Sequence, residues 1–375
     1  MNKAETIIAK YLDEIDEVYP PERKRKIIDR SERFWKGEKA GDRIPYAAMV
    51  LGTADDIPDD LSPQDRELVT ALAGIAKHGR DWDDDYYPAL SPGLRQSTLP
   101  SYFGCIEEHA SDSVRVKPVI AEPADVYKLP RLDYDDPHTS GGEMLAKMRY
   151  WRNMTKGRIL MYETDMQGPF SVASQIWGVE QFLLAIYESP EEVRFLADCC
   201  TDMLTGFTRK MFDAAEGGLI PYHCHPWLWF PKENGMALSE DLVAVISGET
   251  VEEFINPCLE KVVKSFGGVV VHTCGDMNHV LDALCKVKGL KGVNFSSSET
   301  DLQKALHIKR KDLRVVCHGA PVAKPGLPLR TPLEHAAYCG QCAREAGEDV
   351  YCLAANVDKS LTPLIDAEIR EVLRV

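Results

Sequence analysis

Side chains that bind metals follow several apolar segments of this 375-residue chain. His272 and Cys274 follow the apolar run that starts at residue 267, and Cys352 lies in another apolar run near the C-terminus. Residues two apart on a β-strand face the same side, so one imidazole and one thiolate are placed to share a metal ion. Zinc accepts mixed histidine and cysteine ligands, and a three-ligand site leaves one position open for substrate. His272, Cys274 and Cys352 are therefore candidate ligands of a zinc site. Local spacing alone favours the alternative of a hydrogen-bonded histidine beside buried thiols.

Further candidates follow two earlier apolar segments. Glu163 is expected to be a catalytic general acid or an additional metal ligand, against the alternative of a buried carboxylate in a hydrogen-bond network. His223 and His225 lie two apart, so both could face one pocket, with the aromatic residues from Trp227 onward as its wall. We expect a catalytic role for His225 and substrate binding by His223 and Trp227, and either histidine is also a candidate fourth metal ligand. The alternative is a packed strand end with an aromatic core.

The elements that must position these side chains alternate between strands and helices. Four apolar strands, each followed by a helical pattern, are predicted at 267–272, 292–296, 313–318 and 350–354. Two earlier strands bring the count to at least six βα units, which favours an α/β fold of the (β/α)8 TIM-barrel type. Asn294 and His318 stand near the ends of the second and third of these strands and are expected to bind substrate. An open doubly wound sheet is the alternative, although no dinucleotide fingerprint or P-loop motif occurs.

The first hundred residues have a different pattern. Amphipathic helices are predicted at 2–18 and 22–36, and stretches rich in Asp, Pro and Ser follow them. The acidic cluster at 81–85 is interpreted as a solvated loop, because the ligand spacing of a calcium loop is missing. We therefore expect two parts: an N-terminal helical and loop extension over residues 1–100, packed on a barrel over residues 101–375.

Composition excludes several classes of partner. The net charge of −15 offers no basic footprint for nucleic acid. No apolar run is long enough to span a membrane, and the N-terminus lacks the apolar core of a signal peptide, so we expect a cytoplasmic protein. The 11 cysteines are scattered and odd in number, which disfavours a disulfide framework. A homodimer is a candidate assembly.

The sequence resembles the uroporphyrinogen decarboxylase superfamily, and within it the zinc-containing, cobamide-dependent methyltransferase branch. The resemblance covers roughly residues 100–375. It rests on HTCG at 272–275 with a later Cys, on GPF at 168–170, and on the stretches SPEEVRFL, SEDLVAVIS and CHGAP. It implies a TIM barrel and a zinc motif of His272, Cys274 and Cys352. It also implies that Tyr102 lies in a loop over the substrate pocket.

That resemblance implies methyl transfer with a corrinoid (cobalamin) carried by a partner protein. The expected reaction is demethylation of a small methylated compound, such as a methoxylated aromatic, or transfer of methyl to a thiol. The paired arginines with which uroporphyrinogen decarboxylases face their anionic substrate are missing here, which disfavours porphyrinogen decarboxylation. A metal-free decarboxylase or lyase on the same barrel is the second hypothesis. A non-catalytic protein that binds a corrinoid or tetrapyrrole is the third hypothesis.

Overall fold

The computed structural model describes residues 2–50, 57–93, 95, 97–110, 113–164, 166–223, 228–355 and 360–374. The helices are α1 Lys3–Val18, α2 Pro21–Lys36, α3 Pro63–Asp81, α4 Ser140–Thr155, α5 Pro169–Trp177, α6 Val179–Glu188, α7 Pro190–Ala214, α8 Gly248–Thr250, α9 Asn256–Phe266, α10 Leu281–Leu284, α11 Leu302–Ile308, α12 Pro332–Ala346 and α13 Asp366–Val372. The strands are β1 Tyr46–Met49, β2 Ala89–Leu90, β3 Glu107–Ala110, β4 Ser113–Val116, β5 Leu160–Tyr162, β6 Leu219–Ile220, β7 Met236–Ser239, β8 Val269–His272, β9 Leu290–Ser296, β10 Arg314–His318 and β11 Tyr351–Ala355.

Nine of these strands form two parallel sheets. The larger sheet has six strands in the order β1-β11-β10-β9-β8-β7, and the smaller one has three in the order β2-β5-β6. β3 and β4 form a separate antiparallel hairpin. The strands of the larger sheet are short apolar runs buried on both faces, which is typical of parallel sheets covered by crossover helices.

Backbone hydrogen bonds connect the two parallel sheets. Ala237 N in β7 donates to Pro221 O just after β6 at 3.0 Å, and Asp85 N donates to Tyr46 O in β1 at 2.7 Å. The described strands therefore form an α/β fold that resembles a TIM barrel. Full closure into a (β/α)8 ring stays a prediction.

The first hundred residues contribute to these sheets. β1 pairs with β11 and β2 pairs with β5, both in parallel. The expected boundary at residue 100 therefore separates strands that belong to the same sheet. The N-terminal segment supplies helices α1 to α3 and also two of the strands.

Helix α2 packs its apolar face against the sheet interior. The Trp35 ring lies 4.9 Å from that of Phe230, and the Phe34 ring lies 5.5 Å from that of Tyr351. A Cβ at Gly292 would come within 2.9 Å of the Trp35 ring, so this approach requires glycine. Because Tyr351 begins β11, α2 covers the amino ends of the strands and leaves their carboxyl ends for a site.

The acidic cluster at 81–85 is not the solvated loop that its composition indicates. Asp84 and Asp85 are buried. Asp84 accepts hydrogen bonds from Ala48 N at 2.8 Å and Tyr86 N at 3.2 Å, and Asp85 accepts one from Tyr46 N at 2.9 Å. The two carboxylates thus bind the outer edge of β1, a partnership that local composition cannot reveal.

Among the described residues, none of the helices combines the length and the apolar character that crossing a membrane requires.

Candidate metal and substrate site

The sheet register brings polar side chains together at the carboxyl ends of the strands. Ser239 pairs with His272, and His272 pairs with Asn294. Asn294 in turn pairs with Val316, which pairs with Tyr351. Residues paired across parallel strands share a face of the sheet, so Ser239, His272 and Asn294 lie side by side.

His272 and Cys274 meet as their spacing predicts. His272 Nε2 lies 3.3 Å from Cys274 Sγ, while its Nδ1 lies 2.6 Å from Asn294 Oδ1. An amide oxygen only accepts hydrogen bonds, so Nδ1 carries the proton and the Nε2 lone pair faces the thiol. A histidine that ligates a metal is commonly oriented in this way through its second ring nitrogen.

Asp241 completes a group of three ligand-type side chains. One ligand atom each from Asp241, His272 and Cys274 lies within 4.8 Å of the other two. Asp241 sits on the turn that follows β7, and its Oδ1 accepts a hydrogen bond from Cys274 N at 2.8 Å. That contact fixes the carboxylate beside the backbone that carries the thiol.

The electrostatic environment favours an imidazole that can bind a metal. Burial lowers the pKa of His272, although the nearby Asp241 charge and the hydrogen bond to Asn294 act in the opposite direction. The ring is therefore neutral at pH 7, and neutral imidazole is the form that ligates metals. Cys274, in contrast, is exposed.

Asn294 also reaches a second histidine. Its Nδ2 donates to Val316 O at 2.9 Å and lies 3.4 Å from His318 Nδ1. The rings of His272 and His318 are 5.6 Å apart. Asn294 and His318, both expected at the site, thus lie directly beside His272.

A second chain of polar contacts leads to Ser239, which lies beside His272 and Asn294. His223 Nδ1 lies 3.2 Å from Glu163 Oε1, and its Nε2 lies 3.0 Å from Ser239 Oγ. All three side chains are buried. Glu163 and His223, predicted from separate segments, therefore act together, and Ser239 links them to the strand next to His272.

Glu240 is a buried carboxyl group that the sequence does not single out. Its Oε2 accepts a hydrogen bond from Phe170 N at 3.1 Å, and its other oxygen accepts one from the Ser171 hydroxyl at the first turn of α5. A Cβ at Gly168 would lie 2.3 Å from Oε2, so only glycine fits there. Burial raises the pKa of Glu240 to about 8, against the lowering effect of these hydrogen bonds. Glu240 thus connects α5 to the strand end that carries Asp241.

An open groove borders Cys274, the exposed one of the three ligand-type residues. It has a volume of about 670 Å³ and is lined by residues that include Val245, Cys274, Asp276, Glu299, Val322 and Lys324. Lys324 forms an ion pair with Asp276 across the groove. Burial raises the pKa of the Glu299 carboxyl, and the Asp241 charge adds to that rise. A small molecule in this groove would contact the Cys274 thiol.

Cys352 does not join His272 and Cys274. It pairs in register with Cys317, whereas the neighbouring Tyr351 belongs to the row of His272 and Asn294. Successive residues of a strand face opposite sides, so Cys352 faces the helix layer, where its thiol contacts Cys339. The third ligand expected at Cys352 is therefore absent from this group, and Asp241 lies there instead.

Three other expectations have different outcomes. Tyr102 lies in the helix layer: its hydroxyl donates to Tyr134 O at 3.0 Å and its ring is 5.7 Å from that of Phe207, so it does not reach the groove. His225 and Trp227 lie outside the described residues. Of the aromatic residues that follow Trp227, Phe230 packs on Trp35 in the lower part of the core.

Sequence reasoning placed Ser239, Glu240 and Asp241 only within the SEDLVAVIS stretch of the resemblance and gave them no role, because it missed β7. The strand Met236–Ser239 is only four residues long and fully buried. The signal that could have found it is a short apolar run ending in Ser-Glu-Asp, because polar residues directly after a strand mark the functional end of a barrel.

Comparisons with known proteins identify the fold of this chain but do not assign it to a family. No protein-family model matches the chain, and no curated protein matches it either. Among solved structures, a methyltransferase from Methanosarcina mazei matches with a TM-score of 0.64 and 17% identity, over 93% of this chain and 98% of that one. A Listeria monocytogenes protein described as a candidate vitamin-B12-independent methionine synthase has 12% identity and a TM-score of 0.34, over 61% of this chain and 66% of that one. The first match shows that the two proteins share a fold.

Proposed function

We propose that this protein is a zinc-dependent methyltransferase that works with a corrinoid protein. The observation that carries the proposal is the convergence of Asp241, His272 and Cys274 within 4.8 Å at the edge of an open groove. The fold shared with a protein described as a methyltransferase supports it. The resemblance of the HTCG stretch to the cobamide-dependent branch supports the corrinoid partner.

The donor set fits zinc in charge and in geometry. A carboxylate and a thiolate together cancel the two charges of the ion, and a neutral imidazole adds none. Three protein ligands leave a fourth position on the groove side, where Cys274 is exposed. Zinc bound there would supply a Lewis acid for the sulfur or oxygen atom that carries the methyl group.

The surrounding side chains orient these ligands and hold protons. Asn294 keeps the proton of His272 on Nδ1, and the Asp241 carboxylate stays beside Cys274 N. With Glu163 ionised, the His223 Nδ1–H donates to it and Nε2 accepts from the Ser239 hydroxyl. We propose that His223 takes up a second proton on Nε2 from solvent, stabilised by the Glu163 carboxylate, and passes it through the Ser239 hydroxyl to the group that remains after methyl loss.

The groove suits a small methylated compound. Its volume of about 670 Å³ is within the range of pockets for small molecules. Val245 and Val322 give it exposed apolar surface beside Cys274. A methylated thiol or a methoxylated aromatic fits this combination. The methyl group would pass, formally as a methyl cation, to reduced cobalt on the partner protein, and the demethylated group would take up a proton.

Metal content of variants tests the first step. His272→Ala and Cys274→Ser should each lower bound zinc by one equivalent per chain, and Asp241→Asn should weaken its retention. Cys258→Ser is the matched control, because that buried thiol donates to Phe254 O away from the site. Zinc content unchanged in all three variants would contradict the proposal. Catalytic activity that survives complete chelation would indicate a metal-free lyase instead.

A further inference from the structure

A second group of soft ligands lies on the opposite face of the same sheet. Cys317 and Cys352 are register partners on β10 and β11 and face the helix layer. Helix α12, which packs on β11, places His335 and Cys339 against them. All four side chains are buried, none more than 1% exposed.

Three of these side chains meet at one point, and Cys352 contacts the central one. Ligand atoms of Cys317, His335 and Cys339 all lie within 4.8 Å of one another. The Cys339 thiol is hydrogen-bonded to both Cys317 and Cys352, and its Sγ lies 3.6 Å from His335 Nε2. Cys339 is thus the centre of a Cys₃His group.

Regular secondary structure preorganises this group. His335 and Cys339 are four residues apart on α12, so they lie one above the other on the face that meets the sheet. The helix begins in a capping box between Thr331 and Glu334, which fixes its first turn next to His335. All four residues lie on β10, β11 or α12, so no loop takes part in the group.

The observed spacing suits a tetrahedral zinc ion. With Zn–S near 2.3 Å and Zn–N near 2.1 Å, sulfur and nitrogen ligands lie roughly 3.6 Å apart. This matches the separation of Cys339 Sγ and His335 Nε2. His335 Nε2 lies 3.3 Å from Cys317 O and carries the proton in the metal-free protein, because a carbonyl oxygen only accepts. On metal binding that proton would move to Nδ1, which lies 2.8 Å from Ser297 Oγ and would donate to it, a contact of the kind that orients ligating histidines.

We propose that Cys317, His335, Cys339 and Cys352 form a structural site for zinc between the sheet and α12. Four protein ligands leave no open position, which is typical of structural and not catalytic zinc. An ion there would tie β10, β11 and α12 together directly behind His318, which faces the groove side of β10.

The test uses the full chain with the groove-side ligands removed. In a His272→Ala, Cys274→Ser background, we expect one zinc per chain by elemental analysis. Adding Cys339→Ser or His335→Gln should remove it, whereas Cys342→Ser, a buried thiol on the same helix outside the group, should retain it. Because the background lacks the groove-side ligands, its result is independent of the proposed methyltransferase function.

Cobalt substitution provides a second readout. Three thiolates should give the cobalt-loaded background protein strong sulfur-to-cobalt charge-transfer absorption, lost with Cys339→Ser and kept with Cys342→Ser. Folded background protein that takes up neither zinc nor cobalt would overturn the proposal. So would an equal metal content after Cys339→Ser. If Cys339→Ser does not fold, His335→Gln gives the same comparison.

Discussion

Asn294 is the side chain on which the candidate metal site depends most. Its Oδ1 faces His272 and its Nδ2 faces Val316 O and His318, so one buried amide sets the direction of two imidazoles. Without it, the proton of His272 could occupy either ring nitrogen, and the Nε2 lone pair would no longer be held toward Cys274.

We predict that Asn294→Ala lowers zinc affinity by about 10- to 100-fold, the usual effect of removing a group that orients a ligating histidine. Competition with a chromophoric chelator measures the change. Asn256→Ala is the control, because Asn256 is equally buried but donates to Ala283 O at 2.9 Å. Equal zinc affinity for Asn294→Ala and the wild-type protein would contradict the assigned role.

At the same scale, the sequence predicts pairs of ligands within one strand better than ligands from two strands. The spacing of His272 and Cys274 suffices because strand alternation is local. Asp241 depends on the pairing of β7 with β8, and the outward direction of Cys352 depends on the register of β10 with β11. A shift of one residue reverses the face of every side chain, and no local pattern fixes that register.

Strand β1 depends on carboxylates from a distant segment. Asp85 accepts from Tyr46 N in β1 and forms ion pairs with Arg43 at 2.7 Å and Arg30 at 2.9 Å. Arg43 is itself buried, so its charge needs this partner. Short strands such as β1 and β7 escape sequence prediction because such tertiary contacts stabilise them, whereas the helical pattern after the strand at 313–318 indicates α12.

We predict that Asp85→Asn destabilises the fold by about 3 kcal/mol, because it leaves the buried Arg43 charge without compensation. Asp83→Asn should cost under about 1 kcal/mol, since its carboxylate is 76% exposed in its ion pair with Arg370. Urea unfolding of both variants gives the comparison. Similar losses of stability in the two would contradict the burial argument.

The neighbouring Asp84 makes the free energy of unfolding depend on pH in the acidic range. Its burial by itself raises the pKa, but the His78 ring and the hydrogen bonds from Ala48 N and Tyr86 N outweigh it and hold the pKa below 3.8. A depressed carboxyl pKa stabilises the fold above the unfolded value and loses that contribution as pH falls through the folded value.

Unfolding free energy should therefore fall below about pH 4, and it should fall less steeply in Asp84→Asn, whose stability is already lower at pH 7. Denaturant titrations at pH 7, 5, 4 and 3 measure this slope. An identical slope in the wild-type and variant proteins would contradict the role given to Asp84.

For the whole molecule, the two faces of the larger sheet have separate roles in our account. The inner face carries Ser239, His272 and Asn294, and the outer face carries Cys317 and Cys352 toward α12. The alternation of strands and helices predicts the TIM-barrel-like fold and its functional end. It does not predict that the first hundred residues supply β1 and β2, because those strands are too short to show a pattern.

The central claim is zinc-dependent methyl transfer between a small compound and a corrinoid. The most direct measurement mixes zinc-loaded protein anaerobically with cob(I)alamin and a methylated thiol or methoxylated aromatic, and follows methylcobalamin by absorbance. We predict methylcobalamin formation that falls about 100-fold or more in His272→Ala, since Lewis-acid stabilisation is worth several kcal/mol. Equal rates for the folded His272→Ala variant and the wild-type protein would contradict the claim. So would the absence of transfer, in either direction, by zinc-loaded wild-type protein.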